Sequence, residues 1–216
     1  MMVSAEKDPR RSGVIWALDL DKPTPHITPR IPATFRRVRQ ESLRALIEAM
    51  GGNASADILN RFETGRRCYA AWVEGKLAAY GWVSFDEEYI GELKLRLKLV
   101  PGEAYIWDCV TLPAFRRNYL YSALLTYILK ELRAENLCRV WIGADLDNVA
   151  SQRGIARAGF MAVADLEIAR VLALRLVWVQ GRPDVSENLV AEARRVFLNN
   201  RDNVWLAAIG RLGKLR

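Results

Sequence analysis

The chain has 216 residues, of which 51% are hydrophobic, and it carries a formal net charge of +7. This size and composition fit one globular domain with added segments. The sequence contains no apolar run of roughly 18 residues for a membrane span and no signal-peptide core. Three widely spaced cysteines without a CxxC pair favour a reducing, cytoplasmic setting over a disulfide framework or a metal site. Six of the seven excess positive charges lie in residues 1–50 and 181–216, with no basic stripe interleaved with aromatics, so we expect no nucleic-acid partner.

The N-terminal part predicts an extension followed by the start of a domain. Residues 1–32 are dotted with prolines, and the apolar run at 13–20 predicts one strand at the edge of a sheet. A short strand over residues 33–38 then leads into a helix that stops at Gly51. A second short helix is expected over residues 56–62.

The next segment predicts antiparallel strands. Residues 67–73 and 76–85 are strand-like and meet at Glu74-Gly75, which is typical of a tight hairpin. Residues 92–100 alternate strictly between apolar and polar side chains, so one face of this strand is expected to be wet. Another strand is expected over residues 103–111.

The C-terminal half predicts two helices around a covered strand. Residues 119–135 repeat leucine and isoleucine at helical spacing, and the apolar run at 139–144 suits a strand covered on both faces. A short helix over 147–158 and two strands within 160–180 follow.

We therefore predict an α/β fold with a mixed, mostly antiparallel central sheet flanked by helices. The domain is expected over residues 33–180, and a helical extension over 181–216 is expected to pack on it. The extension includes an apolar stretch at 204–209. The added elements either cover exposed sheet or form a homodimer interface, and the sequence leaves both open.

The junction of strand and helix at residues 111–125 carries the strongest functional signal. The first turn of a helix exposes unpaired N–H donors and the positive end of the helix dipole, which together attract phosphate groups. Arg116 and Arg117 lie in this loop. The loop lacks the glycines that usually let a backbone approach a pyrophosphate.

The order of elements and two motifs resemble the GNAT superfamily of acyl-CoA-dependent N-acyltransferases over about residues 33–170. The family loop reads Gln/Arg-x-x-Gly-x-Gly/Ala after a strand and a proline. Here Pro113 precedes Arg-Arg-Asn-Tyr-Leu-Tyr at residues 116–121. Tyr119 and Tyr121 therefore stand where the family has small residues.

The second motif covers residues 148–160. It resembles the family stretch whose polar residues face the pantetheine arm and the acyl group, and it keeps Asn148, Ser151 and the pair Gly159-Phe160. Many members carry a tyrosine four residues before that glycine, where it protonates the departing thiolate. Ile155 stands at this position and cannot donate a proton.

The resemblance implies transfer of an acyl group, acetyl in the first instance, from acyl-CoA to the amine of a small molecule or a peptide. Backbone amides of the loop and its two arginines would hold the pyrophosphate, and an N–H near the end of the preceding strand would stabilise the oxyanion. The residues that the resemblance assigns to the cofactor are Val110, Thr111, Arg116, Arg117, Asn118, Tyr119, Leu120, Tyr121, Ser122, Asn148 and Ser151.

Two residues are candidates for the chemistry. Asp108 lies on an apolar strand at a position where many members carry an acid, and it is the candidate base. Alternatively it bonds a neighbouring arginine or backbone group and does no chemistry. Glu103 is a weaker candidate because a glutamate at a strand mouth is usually solvated. Ser151 either orients the thiolate or bonds the backbone of its own helix.

Two other functions stay open. A catalytically silent relative would serve as a binding or assembly module, and it predicts a loop closed by Tyr119 or Tyr121. An open cleft between the strands at 105–111 and 139–144 would count against it. Transfer from an aminoacyl-tRNA would use the basic termini.

Overall fold

The computed structural model of the protein describes residues 11–91, 93–171 and 174–198. The strands within these ranges are β1 Arg11–Asp19, β2 Thr34–Arg37, β3 Arg67–Val73, β4 Lys76–Ser84, β5 Glu87–Ile90, β6 Leu95–Lys98, β7 Glu103–Thr111, β8 Arg139–Asp145, β9 Met161–Val171 and β10 Leu174–Gly181. The α-helices are α1 Leu43–Ala49, α2 Ser55–Glu63, α3 Leu120–Ala134, α4 Val149–Arg157 and α5 Glu187–Leu198.

Eight strands form one twisted sheet in the order β10-β9-β1-β8-β7-β4-β3-β2. Only the β7–β8 pair is parallel, and every other neighbouring pair is antiparallel. The predicted fold class, a mixed and mostly antiparallel sheet flanked by helices, is confirmed.

The prediction that residues 13–20 form an edge strand is wrong. β1 lies inside the sheet, because it pairs with β8 on one side and with β9 on the other. Its side chains from Val14 to Leu18 are all buried, which is what a strand covered on both faces requires and what a continuous apolar run supplies. The segment expected as an N-terminal extension thus contributes a strand to the central sheet.

The two faces of the sheet carry separate cores. On one face α3 and α4 bury Leu124, Ile128 and Ile155 against the strands. On the other face α5 packs its Val196 and Phe197 beneath β9, β10 and the small β5–β6 sheet. A third cluster lies between the α1–α2 pair and the strands β3 and β4.

Glu103 shows how α5 is fixed to this second face. Its side chain is only 4% exposed, and its carboxylate accepts hydrogen bonds from Arg195 Nη2 of α5 at 2.6 Å and from the backbone N–H of Val100 at 3.1 Å. The expectation of a solvated glutamate is wrong, because the helix supplies a guanidinium that the local sequence does not reveal.

Two local predictions, the hairpin turn and the alternating strand, agree with the structure. Glu74 and Gly75 both have positive φ, 50° and 75°, as the two central residues of a type I′ hairpin turn require. β6 alternates between buried and exposed side chains as predicted, but it pairs with β5 in a separate two-stranded sheet.

No helix in the described ranges is long and apolar enough to cross a membrane. The apolar stretch at 204–209 lies outside the described residues.

Candidate active site

The site begins where the parallel strands β7 and β8 part. Their pairing runs from Glu103 opposite Arg139 to Ile106 opposite Ile142. Beyond that point β7 pairs with β4, and β8 pairs with β1. The divergence leaves a gap in the middle of the sheet that opens toward both faces.

The gap contains a cavity of about 510 Å³. Both strands contribute to its walls, together with β1, the β5–β6 hairpin and the start of α4. Of the residues predicted for the site, it is lined by Asp108, Tyr121, Asn148 and Ser151. The open cleft between the two strands counts against the closed loop that a silent relative predicts.

Asp108 lies in a β-bulge of β7. The register shifts between Tyr80, which pairs with Val110, and Trp82, which pairs with Trp107, so two residues of β7 face Gly81 alone. Asp108 takes the left-handed conformation, φ 43°. A Cβ on Gly81 would lie 2.8 Å from Cys109 Sγ. A glycine opposite the bulge therefore makes room for the Cys109 side chain, which is the second residue of the bulge.

Asp108 is paired with an arginine that the sequence did not single out. Its Oδ2 accepts a hydrogen bond from Arg61 Nη1 of α2 at 2.5 Å, and Arg61 Nη2 lies 2.8 Å from Asp57 Oδ2. The guanidinium also stacks over the rings of Trp82 and Trp107, 5.0 and 4.5 Å from their centroids.

The arginine stays charged in this setting. Burial alone would lower the pKa of Arg61, but the hydrogen bonds and charges of Asp108 and Asp57 raise it. Within the described residues, the other carboxylate oxygen of Asp108 has no hydrogen-bond partner. The expected alternative of a neighbouring arginine is thus present, and Asp108 nevertheless lines the cavity.

The loop before α3 has positive φ angles of the kind that usually require glycine, although it contains no glycine. Arg117 and Tyr119 have φ of 66° and 60°, a left-handed conformation that costs most residues about 1 kcal/mol. Asn118 holds the turn by donating from Nδ2 to the carbonyls of Phe115 and Arg116, each at 3.2 Å. The backbone therefore reaches this geometry despite the substitution at Tyr119.

Tyr119 lies between two further arginines. The guanidinium carbons of Arg30 and Arg157 are 4.5 and 4.4 Å from its ring centroid, and Arg30 Nη2 donates to the tyrosine hydroxyl at 2.9 Å. The backbone N–H of Arg30 also donates to Asn118 O at 3.0 Å. The segment before β2 is thereby fixed to the loop.

Four guanidinium groups consequently surround the start of α3. Arg116 and Arg117 are exposed on the loop, and Arg30 and Arg157 flank it. In the part of the chain that the structure describes, none of the four forms an ion pair. Their uncompensated charge, beside the N–H groups of the first helical turn, fits a phosphate-bearing ligand.

The remaining predicted cofactor residues lie at the loop rather than in the cavity. Val110 and Thr111 pair with Tyr80 and Ala79 of β4. Leu120 is buried in the core at 1% exposure, and the hydroxyl of Ser122 donates to the Gly154 carbonyl at 3.0 Å. The side chains of Leu120 and Ser122 therefore hold α3 in place, which leaves only their backbone amides for a ligand.

At the start of α4, Asn148 and Ser151 form a helix cap. Asn148 Oδ1 accepts from the backbone N–H of Ser151 at 3.0 Å, as an N-cap residue does. The hydroxyl of Ser151 is 3.2 Å from the Tyr121 hydroxyl and is therefore directed toward another side chain.

Cys109 also lines the cavity. Burial raises the pKa of its thiol strongly, and the charge of Asp108 adds to the effect. The thiol is therefore protonated at neutral pH, and a thiolate is the form in which cysteine acts as a nucleophile. Cys109 is therefore a poor candidate for a nucleophile.

Comparison with known sequences decides the family. The sequence profile described as Acetyltransferase (GNAT) family matches residues 34–160, more than half of the chain. The chain belongs to the GNAT acetyltransferase family. A comparison with curated proteins gives no match.

Solved structures share the fold of this GNAT chain. A GCN5-related N-acetyltransferase from Sphaerobacter thermophilus is 18% identical with a TM-score of 0.54, over 82% of this chain and 54% of that one. A GNAT-family acetyltransferase from Colwellia psychrerythraea is 17% identical with a TM-score of 0.53, over 80% and 56%. The chain thus spans little more than half the length of these relatives.

Three arginines of the GNAT site were not among the residues predicted from the sequence. Arg61, Arg30 and Arg157 come from α2, from the segment before β2 and from the end of α4. Each reaches the site from an element distant in sequence, and no local spacing marks it. The only available signal was indirect, since an apolar strand that carries an acid calls for a cationic partner.

Proposed function

We propose that this protein transfers an acyl group, acetyl in the first instance, from an acyl-CoA to the amine of a small molecule or a peptide. The observation that carries the proposal is the gap between β7 and β8, lined by Asp108, Tyr121 and Ser151. Two of the four unpaired arginines at the start of α3, Arg116 and Arg117, lie on the chain segment that leads into Tyr121. Acyl-CoA, when bound, supplies the activated thioester carbonyl.

The chain's own residues take three separate roles. Loop amides and the guanidinium groups of Arg30, Arg116, Arg117 and Arg157 bind the phosphates. The bulge of β7 presents backbone N–H groups near Val110 for the oxyanion. Asp108 takes the proton that the acceptor ammonium must lose before its nitrogen attacks the carbonyl.

The cavity lining also supports a class of acceptor. Three carboxylates line it, those of Glu88, Asp108 and Asp145. Arg66 pairs with Glu88 and Arg61 with Asp108, and among the described residues Asp145 has no ion pair, so its charge favours a cationic amine. On the α5 face the wall is apolar, formed by Ile15, Ile90, Leu93, Leu166 and Phe197. The acceptor is a primary amine with an apolar portion.

A turnover assay tests this function. The protein, acetyl-CoA and a panel of amines should release free CoA thiol in equal amount to N-acetylated product, with arylalkylamines turned over faster than polar amino sugars. CoA at 100 times its Kd should also stabilise the fold by about 2.7 kcal/mol.

Two results would contradict the proposal. If CoA produces no thermal shift, the protein has no acyl-CoA site. If the protein binds CoA but acetylates no amine of the panel, it is a catalytically silent relative.

A further inference from the structure

Tyr121 occupies a volume that a missing side chain of α4 provides. A Cβ built on Gly154 would lie 2.4 and 2.7 Å from Cδ1 and Cε1 of the tyrosine ring, far inside van der Waals contact. The ring therefore rests on the bare backbone of α4. A large residue at 121 and a glycine at 154 form a complementary pair across the two helices.

This packing directs the Tyr121 hydroxyl into the cavity. The oxygen is 3.2 Å from Ser151 Oγ, and both residues line the gap between β7 and β8. Burial raises the pKa of the Tyr121 hydroxyl well above its usual range, although the hydrogen bond with Ser151 lowers it. The group therefore carries a proton throughout the physiological pH range.

Two other tyrosines line the cavity, Tyr89 on the β5–β6 hairpin, where it is half exposed, and Tyr105 of β7. Tyr105 belongs to the α5-side core and meets Phe197 edge to face, with ring centroids 6.0 Å apart. Tyr121 packs with the α3-side core, two residues beyond the loop that carries the arginine cluster. Ile155 is fully buried and has no proton to give. Tyr121 is thus the phenol on the side from which a phosphate-anchored ligand enters.

We propose that Tyr121 is the proton donor to the departing thiolate and that Ser151 is its positioning residue. The inference rests on the proposed acyl transfer. The acceptor nitrogen forms a bond to the thioester carbon, the C–S bond breaks, and the electron pair on sulfur takes the Tyr121 hydroxyl proton. Asp108 takes the first proton, which the acceptor ammonium loses before attack, and releases it to solvent. The second proton, which the nitrogen loses as the amide forms, returns through water to the tyrosinate, whose oxygen Ser151 Oγ holds in place.

Tyr121→Phe is the direct test, because it removes the hydroxyl and keeps the ring on Gly154. Tyr127→Phe is the matched control. Tyr127 lies on the same helix, stacks on Phe35 with centroids 5.9 Å apart and is not part of the cavity lining. We expect Tyr121→Phe to lower kcat by about 10²-fold, with the Kd for acetyl-CoA within twofold of the parent and an unchanged Tm. The control should match the parent.

Ser151 is tested by rescue. Ser151→Ala should lower kcat several-fold at constant Kd, and Ser151→Thr, which retains the hydroxyl, should restore it. Equal kcat for Tyr121→Phe and Tyr127→Phe would overturn the proposal. So would a loss in which Kd and Tm deteriorate together with kcat, since that marks a packing role. A parent protein that binds acetyl-CoA and acetylates no amine refutes the proposed function itself, and the proton donor with it.

Discussion

Replacing Asp108 with asparagine should lower kcat for amine acetylation by about 10²- to 10³-fold, within the range of general acid–base catalysis, and leave the fold intact. The carboxylate lines the cavity and pairs with Arg61 through one oxygen. Its loss removes the group that takes the proton of the acceptor ammonium. Steady-state kinetics at saturating acetyl-CoA, together with a melting curve, measures both effects.

Asparagine is the informative replacement because of the backbone. Asp108 lies at φ 43° in the bulge, and among non-glycine residues asparagine tolerates this left-handed region best. Alanine would add strain and confuse a conformational effect with a chemical one. Arg61 also keeps Asp57, whose carboxylate is 2.8 Å from Nη2, so the arginine is not left without a counter-charge.

Asp57→Asn supplies the control. It removes the other carboxylate of the same arginine, and the Asp57 side chain is 53% exposed, where ion pairs contribute little to stability. We expect its kcat to stay within about twofold of the parent. A normal kcat for Asp108→Asn, combined with a lowered Tm, would show that the Arg61–Asp108 pair serves packing alone.

The second large effect concerns stability. Gly154→Ala should destabilise the protein by about 1–3 kcal/mol, the usual cost of overpacking a core, because the new methyl group would meet the Tyr121 ring at 2.4 Å. Displacing the ring also displaces its hydroxyl, so kcat should fall to the level of Tyr121→Phe. Urea unfolding gives the free energy, and the turnover assay gives kcat.

The effect of Gly154→Ala on the free energy of unfolding should change sign when the Tyr121 ring is absent. In a Tyr121→Ala background the ring is gone, and Ser122 Oγ at 3.6 Å is an ordinary van der Waals contact for the new methyl group. Alanine in a helix is then more stable than glycine by roughly 0.5–1 kcal/mol. Gly154→Ala should therefore stabilise that variant, and the four free energies of unfolding form a double-mutant cycle with a strong coupling term. Equal costs in both backgrounds would mean that the ring and the glycine are independent.

What the sequence could predict was local. The hairpin at Glu74-Gly75, the covered strand β8 and the helix α3 follow from turn chemistry and hydrophobic period, which act within a few residues. The family motif at Asn148 and Ser151 marked two residues that the structure places in the cavity.

What the sequence could not predict depends on long-range contacts. The apolar run of β1 is equally compatible with an edge and an interior position until its two neighbours are known, and one of them, β9, comes about 150 residues later. Glu103 becomes buried only because Arg195 arrives from α5. Tyr121 stands where the family loop has a small residue, and the position of its ring depends on Gly154 in the next helix.

The central claim is that the gap between β7 and β8 receives the thioester end of an acyl-CoA. A crystal structure of the protein grown with CoA tests it most directly. It should show the phosphates on the amides of residues 117–122 and the surrounding arginines, with the thiol between the two strands within hydrogen-bonding reach of Tyr121. CoA bound elsewhere, or a gap filled by protein side chains at saturating CoA, would contradict the account.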